Sequence, residues 1–167
     1  PMQYNTALGF VLAGSAVVLA LHRFQHFAFG LALVVLLLGL MTLAEYIWDM
    51  NLGIDQLLME HYITVKTSHP GRMAPNTALC FLSVSLAILF YVCPSLPFRL
   101  KLIGILPALT CSLALIALLG YGSDVEEFYG WGYLTRMAIH TALSFLVLGL
   151  SLLCLGWLEN RENRENR

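Results

Sequence analysis

The sequence predicts an all-α membrane protein with five transmembrane helices, arranged as parallel two-helix repeats with pseudo-threefold symmetry. The first observation is composition: the 167 residues are 59% hydrophobic and 11% charged, with a mean hydropathy of +0.76. Soluble domains are about 45–50% apolar and about 25% charged. The second is a series of long apolar runs, and the third is a short motif that occurs three times. An internal repeat outranks other sequence signals.

Five apolar runs are the predicted helices, covering residues 6–21, 27–48, 76–93, 102–121 and 138–157. Each is close to the ~20 residues that span ~30 Å of hydrocarbon. The first run lacks the basic start and the small-residue cleavage site of a secretory signal. The short connections "HRFQH" and "CPSLPFRLK" predict antiparallel hairpins on one side. The longer connections, 49–75 and 122–136, lie on the other side, where function is more often found.

The basic residues predict the orientation. One side carries six of them, namely Arg23, Arg99, Lys101, Arg161, Arg164 and Arg167, and the other carries three, namely Lys66, Arg72 and Arg136. Because the Lys/Arg bias sets topology, the richer side is expected to be cytoplasmic, with the C-terminus inside. Residues 1–157 are the predicted transmembrane domain. The charged tail, 158–167, is either disordered or the start of a connector helix supported by Glu/Arg pairs.

The repeated motif reads Met-x-x-(Asn/His)-Thr-Ala-Leu-x-Phe, in the copies "MQYNTALGF", "MAPNTALCF" and "MAIHTALSF". Each copy begins a helix that runs inward, so the copies are parallel repeats around an axis along the membrane normal. A whole unit is an outward helix, a loop and a motif helix, and two units are visible, 27–93 and 102–157. The first copy has no leading helix, so we expect a further span upstream and six helices in the full protein.

The polar column of the motif has two interpretations. Asn and Thr at a helix start can cap the unpaired N–H groups, which matters more where water is scarce. Three helix N-termini at one depth can also form a cup for an anion or polar group. The predicted lining of this cup is Asn5, Thr6, Asn76, Thr77, His140 and Thr141, with Arg72, Arg136 and Glu45 at its rim. The two arginines can alternatively be interfacial anchors.

Glu45 stands in the last turn of its predicted helix, where a carboxylate is costly unless it pairs with a cation. Arg72 and Arg136 are its candidate partners. The stretch "LAEYIWD" aligns with "LLGYGSD", so Tyr46 matches Tyr121 while Glu45 becomes Gly120. Tyrosines at this position are typical of the interfacial aromatic belt.

No cofactor is required by the sequence. His140 can titrate, ligate a metal or donate to a ligand, or simply cap its helix. Together with Met2, Met73 and Met137 it offers soft ligands to Cu(I), although methionine is also a common packing residue. His22 and His26 allow haem ligation but have no opposing histidine. The four cysteines lie in or beside apolar runs without a pairing pattern, so they are expected to be core residues.

Three stretches carry a family resemblance: "TLAEYIWDMNLGIDQLL", "HPGRMAPNTALCFL" and "YGWGYLTRMAIHTALSFLVLGL". They resemble the N-terminal membrane-associated sensor (MASE-like) regions of bacterial sensor histidine kinases and diguanylate cyclases, including two-component systems. The resemblance implies a sensing role in the bacterial inner membrane, with a cytoplasmic output domain in cis and a homodimer formed through the parent protein. It implies no nucleic-acid partner, and it brings no known ligand.

We therefore expect a sensory input domain that detects a small polar, anionic or membrane-soluble signal near the outer leaflet and relays it through the C-terminal helix. A small transporter or channel is the first alternative, although the inner halves of the helices are almost wholly apolar. A structural membrane module and a haem- or copper-binding sensor are the others. The fragment itself is not expected to be an enzyme, because it shows no catalytic triad, phosphate loop or carboxylate pair at a plausible spacing.

Overall fold

The computed structural model describes residues 2–55, 71–95, 98–131 and 134–165, and within these ranges it is helical without strands. The helices are α1 (Tyr4–Leu21), α2 (Gln25–Ile47), α3 (Pro75–Val92), α4 (Arg99–Ser123) and α5 (Ile139–Glu165), with a 3₁₀ turn at Glu126–Phe128. The loop residues His61, Lys66 and His69 and the terminal Arg167 lie outside the described residues.

All five helices are long and apolar enough to cross a membrane. By length and composition the chain therefore has five candidate membrane spans, in agreement with the five apolar runs. The helices extend a few residues beyond several of these runs, most of all in α4 and α5. Charged residues at helix ends still complete backbone hydrogen bonds, so hydropathy alone underestimates helix length. We call the end of the bundle where α1, α3 and α5 begin the motif end, and the opposite end the tail end.

The motif helix α3 forms the centre of the bundle. α3 contacts all four other helices, and α1, α3 and α5 also contact one another. α2 packs against α1 and α3, and α4 packs against α3 and α5. The chain thus contains a first unit, made of α2, the first loop segment (residues 48–55) and α3. The second unit consists of α4, the second loop segment (residues 124–131) and α5.

The last residues of the three motif copies meet in an aromatic cluster. The ring centroids of Phe10, Phe81 and Phe145 are 5.1, 4.5 and 4.8 Å apart, with tilted or edge-on geometry. Aromatic rings prefer such geometry, in which a ring edge faces a neighbouring π-face. Gly9 permits this approach, because a Cβ there would lie 2.5 Å from the Phe81 ring. Since lipid supplies little hydrophobic drive between helices, close packing of this kind holds them together.

Both units end their first helix in the same way. Asp49 after α2 and Asp124 at the end of α4 adopt left-handed backbone conformations, with φ of 47° and 58°. The next amide then turns back: Met50 N–H donates to the Glu45 carbonyl and Val125 N–H to the Gly120 carbonyl, at 3.2 and 3.0 Å. This six-to-one bond satisfies an orphan carbonyl, and Asp is among the residues that tolerate the left-handed region.

The charged tail continues α5 as one helix to Glu165. At the tail end Arg99 joins three helices. Its guanidinium donates to the Phe90 and Tyr91 carbonyls at 2.9 and 3.1 Å and pairs with Glu159 at 2.8 Å. Arg99 of α4 thus caps the C-terminal end of α3, since basic side chains can bond the last carbonyls of a helix. Its ion pair with Glu159 also connects α4 to the tail-end part of α5.

Candidate functional site at the motif end

The polar column of the motif does not cap the helices. Asn5 and Asn76 are the second residues of α1 and α3, while the cap positions are Gln3 and Ala74, neither of which makes a side-chain cap bond. The capping interpretation of the asparagines is therefore wrong. Among the described residues, the amide oxygen of Asn76 accepts only from the adjacent Thr77 N–H, at 3.0 Å, whereas a capping oxygen accepts from an amide two or three residues further along the chain.

Both asparagines instead bind the loop segments. The side-chain amide of Asn5 donates to the Ile54 carbonyl at 2.9 Å, and that of Asn76 donates to the Tyr129 carbonyl at 3.2 Å. The two acceptors are 75 residues apart (129 minus 54), the same offset that separates Tyr46 from Tyr121 (121 minus 46). Each asparagine therefore binds the equivalent position of a loop segment. In both cases this loop segment follows the helix that packs beside the asparagine's own helix.

The two aligned tyrosines make a second repeated contact. The Tyr46 hydroxyl donates to the Met73 carbonyl at 2.9 Å, and the Tyr121 hydroxyl donates to the Met137 carbonyl at 2.6 Å. Both acceptors are the first residue of a motif copy. The interpretation of these tyrosines as interfacial aromatic residues did not predict the two hydrogen bonds. Their alignment within the repeat was the sequence feature that pointed to a shared role. The phenols thus satisfy backbone carbonyls of two buried residues.

A buried charge cluster stands at the motif end of the first unit. Arg72 is 1% exposed, and its Nε lies 2.9 Å from Asp55 Oδ2 and 3.3 Å from Glu45 Oε2. Its Nη2 donates to the Met50 carbonyl at 3.0 Å, and its guanidinium lies 5.3 Å from the Tyr46 ring centroid. The expected pairing of Glu45 with an arginine is thus present, with Arg72 as the partner. Asp55 is the residue that sequence reasoning did not assign to this site.

The cluster has an imbalance of charge. Among the described residues, two carboxylates surround one guanidinium, so this group of side chains carries a net negative charge when both carboxylates are ionised. Glu45 Oε1 accepts from the Leu52 N–H at 2.8 Å, but the buried Oε2 accepts no hydrogen bond among the described residues. These partners surround Arg72, so its guanidinium contacts protein oxygens and does not form an open rim that could bind an anion.

Arg136 occupies the corresponding place in the second unit but has different surroundings. It is 27% exposed and pairs with Glu126 of the 3₁₀ turn. The positions of Glu45 and Asp55 are taken by Gly120 and Gly130 (offset 75). A Cβ on Gly130 would lie 2.7 Å from Arg136 Cγ, so the arginine stem lies directly on this glycine.

The remaining predicted lining residues differ in burial. Thr6, Thr77 and Thr141 are all buried, whereas His140 is exposed at the start of α5. Met73 and Met137 are buried and Met2 is half-buried. Across the part of the chain that the structure describes, no group of three or more His, Cys, Asp or Glu side chains could hold a metal ion.

Compared with known proteins, the chain matches no family model, no curated protein and no solved structure. The geometry of the motif end therefore has to support any functional assignment by itself.

Proposed function

We propose that the chain is a sensory input domain that responds to a small molecule at its motif end and relays the response through α5. The observation that carries this proposal is the uninterrupted course of α5 over 27 residues, from the motif to the charged tail. At ~1.5 Å per residue this helix is about 40 Å long. A displacement of its first turn would therefore reach the tail end as rigid-body motion.

The motif end supplies the element that can respond. The loop segments are attached to the motif helices by a few directed polar bonds, including those of Asn5 and Asn76. A polar or anionic molecule that offers its own oxygen to Asn5 or Asn76 would compete with these internal acceptors. A ligand that prefers the released arrangement shifts the population towards it. A membrane-soluble signal would act on the same equilibrium by changing the packing of the helices.

We further propose that α1, α3 and α5 surround a pseudo-threefold axis along the membrane normal. The mutual contact of the three motif phenylalanines supports this, as do the repeated asparagine and tyrosine bonds. In this arrangement the tail faces the cytoplasm, where it connects to an output domain in cis, and the parent protein forms a homodimer in the bacterial inner membrane. Helices α4 and α5, joined by the ion pair of Arg99 and Glu159, transmit the response to the output domain.

Hydrogen exchange of the purified chain in lipid nanodiscs tests the relay. Glu45→Gln removes the charge of the buried carboxylate while keeping an oxygen for the Leu52 N–H, and Glu126→Gln is the matched control at the exposed pair. We expect Glu45→Gln to change exchange in residues 48–55 and also in residues 158–165, about 40 Å away. The control should change exchange only near the 3₁₀ turn.

The alternatives give other results. If Glu45→Gln alters hydrogen exchange in the first loop segment but not in residues 158–165, the relay is absent. The contacts of the motif end then have only a structural role. Ion or solute flux through the purified chain in liposomes would favour a transporter instead. Buried hydroxyls within the spans count against such a path, because Thr42, Ser85 and Thr110 each donate to a carbonyl of their own helix.

A further inference from the structure

In the buried charge cluster of Glu45, Asp55 and Arg72, two carboxyl groups share one hydrogen donor. Glu45 is 0% exposed and Asp55 is 8% exposed, and both approach Nε of Arg72. That nitrogen has a single hydrogen, which it donates to Asp55 Oδ2 at 2.9 Å. Glu45 Oε2 lies 3.3 Å from the same nitrogen but accepts no hydrogen bond within the described ranges. A buried ionised oxygen without a donor is costly.

The two carboxyl groups also lie within hydrogen-bonding reach of each other. Ionised carboxylates are acceptors only, whereas a protonated carboxyl group has one O–H donor. The contact between Glu45 and Asp55 is therefore favourable only when one of them carries a proton. Two carboxylates in one site repel each other when both are ionised, and they bind and release a proton as a pair.

In residues 2–55 and 71–95, no second cation lies near Glu45. α2 packs against α1 and α3, and neither of these helices contains an Asp, Glu, Lys, Arg or His residue. Asp49 follows α2 but is exposed, and the hydroxyl of the neighbouring Tyr46 donates to the Met73 carbonyl. The remaining charged or histidine side chains of these ranges are in the turn that joins α1 and α2 at the tail end. One proton would therefore make the three side chains of the cluster neutral.

We propose that this cluster is a proton-binding site, in which Glu45 Oε2 and Asp55 share one proton at neutral pH. The proton supplies the hydrogen bond that Glu45 Oε2 lacks and removes the excess negative charge. The site itself does not depend on the proposed sensory function, but its use as a signal rests on that function. The signal is then the proton concentration at the motif end.

The proton strengthens the attachment of the first loop segment. Glu45 Oε1 accepts from the Leu52 N–H, and Arg72 donates to the Met50 carbonyl, so the cluster is bonded to this segment at several points. When the proton leaves, two like charges face each other in a buried site. The loop segment that carries Asp55 can then move away, because Glu45 is held within α2.

The direction of the pH dependence follows from the number of bound protons. Above about pH 5 both carboxyl groups of an unfolded chain are ionised, so the folded chain binds one more proton than the unfolded chain. The stabilisation by this proton is fully present at lower pH, decreases as the pH rises, and is lost once the pair has released the proton. Over that interval the unfolding equilibrium constant should rise by up to about tenfold per pH unit.

Infrared spectroscopy of the purified chain, in a detergent without ester groups, tests for the proton directly, because a protonated carboxyl group has its own C=O stretching band. We expect the wild-type chain to show this band at neutral pH and to lose it at alkaline pH. Glu45→Gln and Asp55→Asn should each remove the band, since the remaining carboxylate is then matched by Arg72. Glu126→Gln, at the exposed ion pair of the second unit, is the matched control and should leave the band unchanged.

Denaturant titration over the same pH range provides the second measurement. The wild-type chain and Glu126→Gln should show the rise in the unfolding constant, and Glu45→Gln and Asp55→Asn should not. Glu45→Gln carries a fixed amide donor in place of the proton. The change in hydrogen exchange expected of this variant in residues 48–55 is therefore a decrease, which is largest at alkaline pH.

Absence of the band from the wild-type chain at neutral pH would overturn the proposal, whether or not the variants fold. A band that persists in both Glu45→Gln and Asp55→Asn would also contradict it, because the proton would then belong to another carboxyl group. An unfolding constant that does not change with pH would do the same. Neither measurement involves residues 158–165, where hydrogen exchange tests the relay, so failure of the proton site is distinguishable from failure of the proposed function.

Discussion

The two loop segments leave α2 and α4 through the same left-handed aspartate turn, but different chemistry holds them in place. In the first segment a buried guanidinium, that of Arg72, is matched by Glu45 and Asp55. In the second segment both carboxylates are replaced by glycines, and Arg136 pairs with a half-exposed Glu126. The rings of Tyr121 and Tyr129 stack there at 4.0 Å with an interplanar angle of 9°.

The two segments thus make the same hydrogen bonds although their charged residues differ. Both units share three hydrogen bonds: the backbone bond that closes the aspartate turn, the bond from the tyrosine hydroxyl to the carbonyl of the motif methionine, and the bond from the asparagine amide to the loop carbonyl. The first unit adds a desolvated charge cluster, in which loss of one partner leaves an uncompensated charge. The second unit adds close packing at glycines, where any side chain would collide.

The largest expected effect separates the two arginines. Arg72→Met should lower the free energy of unfolding by about 3–5 kcal/mol, because it leaves two buried carboxylates without their cation. Arg136→Met should cost less than about 1 kcal/mol, since its ion pair is partly exposed to solvent. Denaturant titration of the purified chain in mild detergent measures both. Equal losses at the two positions would show that burial of the first cluster has no energetic consequence.

The next effect tests the glycines of the second unit. Gly120→Ala should destabilise by about 1–3 kcal/mol, because the new Cβ would lie 2.6 Å from Phe128 Cβ and 2.9 Å from the Val125 carbonyl. Gly122→Ala on the same helix is the control, as its Cβ would meet nothing within 4 Å. The control should be neutral or stabilising by up to about 1 kcal/mol. The same titration compares them, and a stable Gly120→Ala protein would contradict the close approach.

A smaller effect tests what the two units share. Asn5→Ala and Asn76→Ala should each cost about 1–2 kcal/mol, since each removes a donor from a loop carbonyl. Hydrogen exchange should rise near Ile54 in the first variant and near Tyr129 in the second. His140→Ala in the same chain is the control and should change neither loop segment. A rise confined to the helix start would restore the capping interpretation.

The smallest effect concerns the phenols. Tyr46→Phe and Tyr121→Phe should each cost about 0.5–1.5 kcal/mol, the usual value of one hydrogen bond, because the rings keep their packing. The two losses should be similar if the contact is a true repeat, and thermal unfolding in detergent can compare them. Tyr4→Phe, an exposed tyrosine at the same end, is the control and should change little. A loss at only one of the two positions would break the equivalence of the units.

The sequence by itself determined the helical class, the five helices long and apolar enough to cross a membrane, the motif and its alignment, and the pairing of Glu45 with an arginine. These features follow from local properties: apolar length sets a span, and a carboxylate in the last turn of an apolar helix needs a cation. The aligned tyrosines were also visible, although their hydrogen bonds were not.

The tertiary structure alone decided what the polar residues of the motif bind. Asn5 and Asn76 bind carbonyls 49 and 53 residues away in the chain, and Arg72 recruits Asp55 across 17 residues. An amide or guanidinium can satisfy itself with any nearby oxygen, so its residue type does not name the acceptor. Only the packing of the motif helices brings the loop carbonyls within reach. It also leaves His140 exposed at the one gap between motif helices that no described helix covers.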